Sequence, residues 1–286
     1  MIPPGLLPPR SPDAHKGDCG RVVVFAGSIG LSGAAALCAE GAQRAGAGLV
    51  TVGSPRSVQP VLAAKLTEAM TWPLAESREG ALSLAALADM AALAEDATAL
   101  AIGPGLSRQR QTAELVRRLL PMLSVPAVLD ADGLNAVAED PAMLGKRTAP
   151  LILTPHPGEM GRLIRQSAAD VQRDRSRTAR ALAERARAVV VLKGRGTVVA
   201  DVGGEVYVNE TGNPGMASGG FGDVLTGLIA GLLAQGLAPY DAARLGVYVH
   251  GAAADLAAKD VGEAGLIASD ALARIPQAIR AYQQQH

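Results

Sequence analysis

The sequence predicts an α/β protein with a mostly parallel central sheet that is flanked by helices on both faces. Short runs of Val, Ile, Leu and Ala recur along the chain without the alternation of a half-exposed strand, which is typical of strands buried on both faces. Longer segments with helical periodicity separate these runs, as in layered α/β folds. The chain has no internal repeat and no long linker, and its 286 residues are 49% hydrophobic. One domain over residues 1–286 is therefore expected.

Strands and helices are predicted in alternation up to residue 194. The first dozen residues are rich in proline and are expected to become ordered only by docking onto the domain. Strands are predicted at 22–27, 49–53, 98–103, 126–132, 150–154 and 188–194. Helices are predicted at 33–46, near 57–68, near 109–123, from Gly133, near 157–166 and near 170–187.

The periodicity changes after residue 194. The apolar segments 197–202 and 205–208 flank Gly203 and Gly204, and a two-residue glycine loop between such segments is typical of a β-hairpin. This small hairpin would add an antiparallel edge to the sheet. The last three helices are predicted near 222–235, from Tyr240 to about Ala258, and near 267–282.

Composition argues against several classes of function. Lys plus Arg and Asp plus Glu both number 27, so the chain has no net charge with which to bind nucleic acid or an anionic membrane. Prolines occupy the N-terminal positions where a signal peptide would be apolar, and no apolar run reaches the length of a membrane span. Cys19 and Cys38 have neither metal-ligand spacing nor a disulfide framework. We expect a soluble cytoplasmic protein with reduced thiols.

Several predicted strands end in residues that suit a binding site. Ligands of parallel α/β sheets bind outside the carboxyl ends of the strands, so these residues are expected to gather along one edge. They are Gly27-Ser28, Gly103-Pro104-Gly105, Asp130 and Asp132, residues 154–159, and Lys193-Gly194. The two aspartates could hold a metal, although the segment from Asp132 to Asn135 also fits a helix N-cap, and a structural role is favoured.

The segment Gly219-Gly220-Phe221-Gly222-Asp223, called here the anion loop, lies directly before a predicted helix. Consecutive glycines let successive N–H groups face one concavity, and the helix N-terminus adds a partial positive charge, so the loop suits a phosphate. The same dipole is expected to keep Asp223 ionised, ready to accept a proton from an alcohol that attacks this phosphate. A plain helix cap in a tight turn is the alternative. The P-loop and Rossmann glycine patterns do not fit.

Two further segments carry candidate site residues, each with a structural alternative. Lys193 to Thr197 offers a cation, a flexible turn and a hydroxyl, or is simply a strand end followed by a glycine turn. Pro155 and Pro157 hold His156 in an extended conformation. There it could contact a substrate or phosphate, or it could be an ordinary surface histidine.

Together and in this order, the motifs resemble the ADP-dependent (S)-NAD(P)H-hydrate dehydratases, which belong to the ribokinase-like superfamily. The resemblance covers about residues 15 to 260 and implies a three-layer ribokinase-like fold. The matching segments are HKGDCGRVVVFAGS (15–28), SGAAAL (32–37), IGPGL (102–106), VLDADGLN (128–135), LTPHPGE (153–159), LKGRGT (192–197), NPGMASGGFGDVLTGLIAGLLAQG (213–236) and HGAAAD (250–255).

The resemblance implies a hydro-lyase that repairs damaged nicotinamide cofactor. Water that adds to the nicotinamide ring of NADH or NADPH leaves a hydroxyl at C6. The family removes this hydroxyl from the S-epimer at the expense of ADP and releases AMP and phosphate. Phosphorylation of the hydroxyl makes the dehydration easier, because hydroxide is a poor leaving group and phosphate is a good one. The residues alone do not decide between ADP and ATP or between hydrated NADH and NADPH; ADP is assigned from the resemblance.

The same resemblance assigns roles to residues of this chain. Asp223 would be the base, and Gly220 and Gly222 would help to hold the transferred phosphoryl group. Lys193, Gly194, Arg195, Gly196, Thr197 and Gly222 would bind the nucleotide, while Ala34, Gly105, His156 and Asp223 would line the pocket for the hydrated cofactor. Mg²⁺ would bridge the nucleotide phosphates with few dedicated protein ligands.

The resemblance also raises points about Phe221 and about partners. Family members often carry Thr or Ser where this chain has Phe221, which removes a hydroxyl near the phosphate but keeps the backbone N–H. Many bacterial members are fused to an epimerase domain. Here the first strand starts near residue 22, so the epimerase is expected to be a separate chain. A homo-oligomer, a tetramer by resemblance, is expected as well.

Two other functions compete with this interpretation. An ATP-dependent small-alcohol kinase of the hydroxyethylthiazole or hydroxymethylpyrimidine type would share the anion loop and the base but would stop at the phosphate ester. A regulatory protein that binds a nucleotide without turnover would not need Asp223. The His-Pro-Gly-Glu turn and the Lys-Gly-x-x-Thr segment favour the dehydratase.

Overall fold

The computed structural model describes residues 2–284 and contains one nine-stranded sheet in the order β3-β2-β1-β4-β5-β6-β7-β8-β9. The strands are β1 (Arg21–Phe25), β2 (Leu49–Pro55), β3 (Met70–Leu74), β4 (Ala99–Ile102), β5 (Ala127–Leu129), β6 (Leu151–Leu153), β7 (Val189–Leu192), β8 (Val198–Ala200) and β9 (Val206–Val208). All neighbouring pairs from β3 across to β7 are parallel, whereas β7–β8 and β8–β9 are antiparallel. The mostly parallel sheet and the hairpin edge are confirmed.

Helices cover both faces of the sheet and make the fold three-layered. They are α1 (Ser32–Arg44), α2 (Gln59–Lys65), α3 (Leu87–Glu95), α4 (Arg110–Leu119), α5 (Ala131–Val137), α6 (Pro157–Ile164), α7 (Ala168–Arg173), α8 (Arg175–Ala186), α9 (Phe221–Ala234), α10 (Pro239–Val261) and α11 (Ala268–Gln283). Val22 and Val24 of β1 pack with α1, α2 and α9 to α11, while Val23 and Phe25 pack with α3 to α8. Successive strand residues point to opposite faces, so a continuous apolar strand serves two cores.

The sequence predictions differ from the structure at four elements. Strand β3 was not predicted, because Pro73 and the half-exposed Trp72 interrupt its apolar pattern, and α3 was missed as well. The single helix predicted near 170–187 is wrong: it is two helices that meet at Asp174, whose side chain accepts the Arg177 N–H at 2.9 Å. The helix predicted from Gly133 begins two residues earlier.

The N-terminal segment docks as expected. The Leu6 N–H donates to the Tyr282 hydroxyl at 3.1 Å, and this hydroxyl donates to the Pro3 carbonyl at 2.6 Å. The side chains of Ile2 and Leu7 are buried. The proline-rich start of the chain is therefore held by α11.

Two expectations from composition can be compared with the structure. Cys19 and Cys38 are both buried and free within the described chain. Between residues 2 and 284, none of the helices combines the length and the apolar character that a bilayer span needs.

Close packing of α1 on α9 depends on Gly227. A Cβ at this position would lie 1.8 Å from the Cys38 carbonyl oxygen, so the two helix backbones would have to separate. We expect Gly227→Ala to lower the free energy of unfolding by about 3 kcal/mol, measured by chemical denaturation. Gly33→Ala in α1 is the control, because a Cβ there meets no atom within 4 Å, and alanine should stabilise this helix by about 0.5 kcal/mol. Equal stability of the two variants would contradict the packing argument.

Candidate active site

The strand ends that the sequence singled out do meet along one edge of the sheet. Each loop is hydrogen-bonded to its neighbour, so the parallel ladder continues past the strands and fixes the relative positions of the loops. The bonds run from the Gly103 N–H to the Phe25 carbonyl (3.1 Å), Gly27 to Pro104 (2.9 Å), Asp130 to Ile102 (3.0 Å), Thr154 to Leu129 (3.1 Å) and Lys193 to Pro155 (2.9 Å).

The anion loop enters α9 through Gly220, which has a left-handed backbone with φ of 96°. A Cβ on Gly220 would lie 2.7 Å from Leu37 Cδ1 and 3.0 Å from the Ala268 Cβ, so the loop sits closely between α1 and the start of α11. A Cβ on Gly219 would meet no atom within 4 Å. The first N–H groups of a helix have no acceptor within it, so this loop can offer backbone donors to an anion.

Phe221 points into the core of the protein. Its side chain is 4% exposed, and its ring lies edge-on to the His250 ring with 5.8 Å between centroids. Burial and then Lys193 lower the pKa of His250 to about 4, so this histidine is a neutral packing partner. The phenyl group thus contributes packing at the start of α9.

A network of buried charges lies beneath the anion loop. Asp130 is 1% exposed, and its Oδ1 accepts a hydrogen bond from Lys193 Nζ at 2.6 Å while its Oδ2 accepts one from Thr226 Oγ1 at 2.7 Å. Glu159 Oε2 lies 3.9 Å from the same ammonium. Burial lowers the pKa of Lys193, but Asp130 and Glu159 outweigh it, so the net shift is upward and the amine stays charged.

The electrostatic state of Asp223 differs from the sequence prediction. Burial, followed by repulsion from Asp130, raises its pKa to about 7 from the ordinary 3.8, although Lys193 opposes the shift. Asp132 and Glu159 raise it further. The expectation that the helix dipole keeps Asp223 fully ionised is therefore wrong, because desolvation and neighbouring carboxylates exceed the dipole. A carboxyl with a pKa near 7 is well matched to general-base chemistry at neutral pH.

His156 caps α6. The His156 Nδ1 accepts a hydrogen bond from the Gly158 backbone N–H at 3.0 Å. The His156 backbone N–H donates to Glu159 Oε2 at 2.8 Å, and the two bonds together make a capping box. The imidazole remains 51% exposed at the sheet edge. Burial and the charges of Lys193 and Arg162 lower its pKa, which favours the neutral imidazole, and its Nε2 lies 3.5 Å from Glu159 Oε1.

The interpretation of Asp132 as a helix N-cap is wrong. Asp130 occupies the cap position of α5, and Asp132 lies inside the first turn. Its two oxygens accept bonds from the Ser107 N–H at 2.9 Å and from Asn135 Nδ2 at 3.1 Å. Asp132 therefore ties the loop after β4 to α5.

The remaining predicted site residues form two groups. Ala34 and Gly105 are neighbours, since a Cβ on the glycine would lie 3.1 Å from the Ala34 Cβ, and Ser28 Oγ donates to the Gly105 carbonyl at 2.8 Å. Across the edge, the turn from Lys193 to Thr197 is closed by a bond from Thr197 Oγ1 to the Gly194 carbonyl at 2.9 Å. The anion loop and the buried charges are next to this turn, since a Cβ on Gly222 would lie 3.2 Å from Lys193 Nζ.

Three residues that support the site were assigned no role from the sequence. Arg175 Nη2 donates to the Leu192 carbonyl at 2.8 Å and so braces the turn after β7, and Thr226 holds Asp130. Asp255 accepts bonds from the Gly212 N–H and Asn213 Nδ2, both at 2.9 Å. Thr226, a hydroxyl in an otherwise apolar helix one turn after Asp223, was the available signal; nothing local marks Arg175.

Asp255→Ala should loosen the segment that leads into the anion loop. Two donors lose their acceptor, so we expect a loss of about 1 kcal/mol in the free energy of unfolding. Turnover should also fall about tenfold, because the loop is less well placed. Asp260→Ala on the same helix is the control: this carboxylate is 54% exposed and pairs with Arg274, a contact of little expected value. Thermal unfolding and turnover are measured for both variants. Equal stability and equal turnover of Asp255→Ala and Asp260→Ala would count against the role of Asp255.

No ready-made metal site is present among residues 2–284. No group of three or more His, Cys, Asp or Glu side chains is placed to hold an ion there. Asp130 and Asp132, the candidates from the sequence, already use their oxygens for the bonds described above. The structural role favoured for both aspartates agrees with these contacts.

Comparison with known proteins shows which family this arrangement belongs to. The family model described as NAD(P)H-hydrate dehydratase matches residues 22–277. The ADP-dependent (S)-NAD(P)H-hydrate dehydratase of Neisseria meningitidis is 39% identical over 272 residues, which cover 93% of this chain and 87% of that protein. A crystal structure of the ADP/ATP-dependent NAD(P)H-hydrate dehydratase from Bacillus subtilis, co-crystallised with ATP and Mg²⁺, is 34% identical with a TM-score of 0.83, covering 96% of this chain and 94% of that one.

Longer relatives match as well. The bifunctional NAD(P)H-hydrate repair enzyme of Moorella thermoacetica is 52% identical over 274 residues, which are 96% of this chain but 52% of that protein. This chain therefore spans about half the length of such bifunctional relatives. The three-layer ribokinase-like fold that the sequence resemblance implied is confirmed by these likenesses and by the sheet order.

Proposed function

This chain belongs to the NAD(P)H-hydrate dehydratase family, and from that we propose that it dehydrates the S-epimer of hydrated NADH or NADPH, with ADP converted to AMP and phosphate. The observation that carries the proposal is Asp223, a carboxyl with a pKa of about 7 in the first turn of α9, directly after the glycines of the anion loop, where the first N–H groups have no acceptor within the helix. A base and an anion cradle side by side suit phosphoryl transfer to an alcohol.

The reaction needs two steps, and this site supplies groups for both. The Asp223 carboxylate takes the proton of the C6 hydroxyl while the oxygen of this hydroxyl attacks the terminal phosphorus of ADP. The bond between that phosphorus and the oxygen of the AMP leaving group breaks. The C6–O bond of the phosphate ester then breaks. Phosphate leaves with the bonding pair, the neighbouring ring carbon loses a proton to solvent, and the ring double bond returns. Donors of the anion loop and the Lys193 ammonium stabilise the negative charge on the transferred group.

The nucleotide and the cofactor would approach from opposite sides of the anion loop. Lys193 to Thr197 and Gly222 would hold the nucleotide, and Ala34, Gly105 and His156 would line the pocket for the hydrated ring. Mg²⁺ would be carried mainly by the phosphates of the nucleotide, in keeping with the ATP and Mg²⁺ in the Bacillus subtilis crystals. A tetramer, a cytoplasmic location and a separate epimerase stay predictions.

The small-alcohol kinase has less support. It would use the same base and loop, but the relatives that share 34% and 39% identity with this chain carry the dehydratase name. A regulatory binding protein has no need of a partly buried carboxyl with a pKa near neutral pH.

The test is recovery of the reduced-nicotinamide absorbance. Purified protein is mixed with hydrated NADH or hydrated NADPH and Mg²⁺, with ADP, ATP or neither. An absorbance rise that requires a nucleotide is expected, and it should be larger with ADP. No rise in any mixture, with ester accumulating from ATP, would establish the kinase instead.

A further inference from the structure

Thr226 carries the one hydroxyl side chain of α9, and it lies within the protein core. The residue is 0% exposed, and every other residue from Val224 to Ala234 is apolar or glycine. A buried hydroxyl is costly without a partner. Thr226 Oγ1 donates at 2.7 Å to Oδ2 of Asp130, which lies 96 residues earlier in the chain, at the end of β5. The bond thus joins the helix of the proposed base to the centre of the sheet edge.

Asp130, whose carboxylate Thr226 orients, in turn fixes the position of the Lys193 ammonium. Its Oδ2 is engaged by Thr226, so its Oδ1 is fixed in direction and accepts the Lys193 ammonium at 2.6 Å. The side chain of Lys193 is 19% exposed and that of Asp130 is 1% exposed, so solvent screens this pair little. A lysine stem has several rotatable bonds, and the carboxylate selects one position for its end.

That position lies directly against the anion loop. A Cβ on Gly222 would be 3.2 Å from Lys193 Nζ and 3.8 Å from Asp130 Oδ2, so the ammonium lies under the backbone of the loop. A phosphate held by the loop would therefore meet the ammonium. Glu159, at 3.9 Å, is the second acid near this cation, but its other contacts point to His156.

We propose that Thr226, acting through Asp130, is a positioning residue that holds the Lys193 ammonium against the anion loop, where it meets the phosphates of a nucleoside diphosphate. The identity of the ligand rests on the proposed function, but the positioning rests on the contacts alone. Without the Thr226 hydroxyl, the Asp130 carboxylate loses one of its two fixed donors, turns about its side chain, and releases Lys193 from its place.

A double-mutant cycle with Lys193 tests the chain of contacts. Thr226→Val keeps the shape of the side chain and removes the hydroxyl, while Thr226→Ser keeps the hydroxyl. The dissociation constant of ADP with Mg²⁺ is measured by calorimetry for both variants, alone and in a Lys193→Met background. We expect Thr226→Val to weaken ADP binding about tenfold in the wild-type background and less than about twofold in the Lys193→Met background. Thr226→Ser should bind ADP like the wild type.

Two results would overturn the proposal: unchanged ADP binding by Thr226→Val, or the same loss in both backgrounds. Thr112→Val is the control for loss of a buried hydroxyl, since Thr112 is 1% exposed and donates to the Leu82 carbonyl at 2.8 Å on the other face of the sheet. It should leave ADP binding unchanged. If Lys193→Met does not fold, Asp130→Asn takes its place, and Thr226→Val should add little to it. Binding without turnover by the wild type would contradict the proposed function but not this inference.

Discussion

Asp223→Asn is expected to reduce turnover about 10²- to 10⁴-fold, the usual contribution of a general base, while ADP binding is kept. The amide has the same shape but cannot take the substrate proton. The same variant should be more stable than the wild type at pH 8, by on the order of 1 kcal/mol, because an ionised carboxylate in this acidic, partly buried setting is unfavourable. Turnover by absorbance, ADP binding by calorimetry and thermal unfolding at pH 8 check the three parts.

The matched control is Asp89→Asn. Asp89 also lies in the first turn of a helix, α3, but it is exposed on the opposite side of the sheet. It should change neither turnover nor stability appreciably. Full turnover by Asp223→Asn would remove Asp223 from the mechanism. Lost turnover together with lost ADP binding would show that the residue only shapes the loop.

The pH dependence should report the same carboxyl. With a pKa of about 7, Asp223 is half ionised near neutral pH, so kcat/KM should fall about tenfold for each pH unit below that point. The fall between pH 7 and pH 5 would then be about 50-fold, since the carboxyl is already half protonated at pH 7. Because the nucleotide phosphate also titrates in this range, the dissociation constant of ADP measured at each pH separates binding from proton transfer. A flat kcat/KM from pH 5 to 8 would contradict the role of Asp223.

Stability should show the opposite trend. The folded-state pKa of Asp223, about 7, is above the ordinary value of 3.8, so the folded protein binds a proton that the unfolded chain does not. Its contribution to stability is therefore full below pH 4 and is lost as the pH rises to about 7. The stability difference between Asp223→Asn and the wild type should grow across this window, and its absence would show that the carboxyl titrates as in an exposed position.

The sequence by itself determined the layered α/β architecture, the hairpin edge and the set of candidate site loops. Buried parallel strands such as β4 and β7 read directly as apolar runs, and helix patterns between them fixed the connections. The anion loop and Asp223 could be singled out because glycines followed at once by a helix are a local feature. The edge strand β3 was not predicted, since its exposure and Pro73 weaken the apolar run that marks a buried strand.

Only the tertiary structure decided the state and the support of the site. Asp223 and Asp130 are 93 residues apart in sequence, so their repulsion, and the pKa that follows from it, has no local signal. The bonds from Thr226 and Lys193 to Asp130, and from Asn213 to Asp255, join distant segments in the same way. Strand and helix patterns depend on neighbours along the chain, whereas desolvation and charge pairing depend on neighbours in space. The sequence therefore singled out the proposed base, whereas the pKa of its carboxyl depends on the fold.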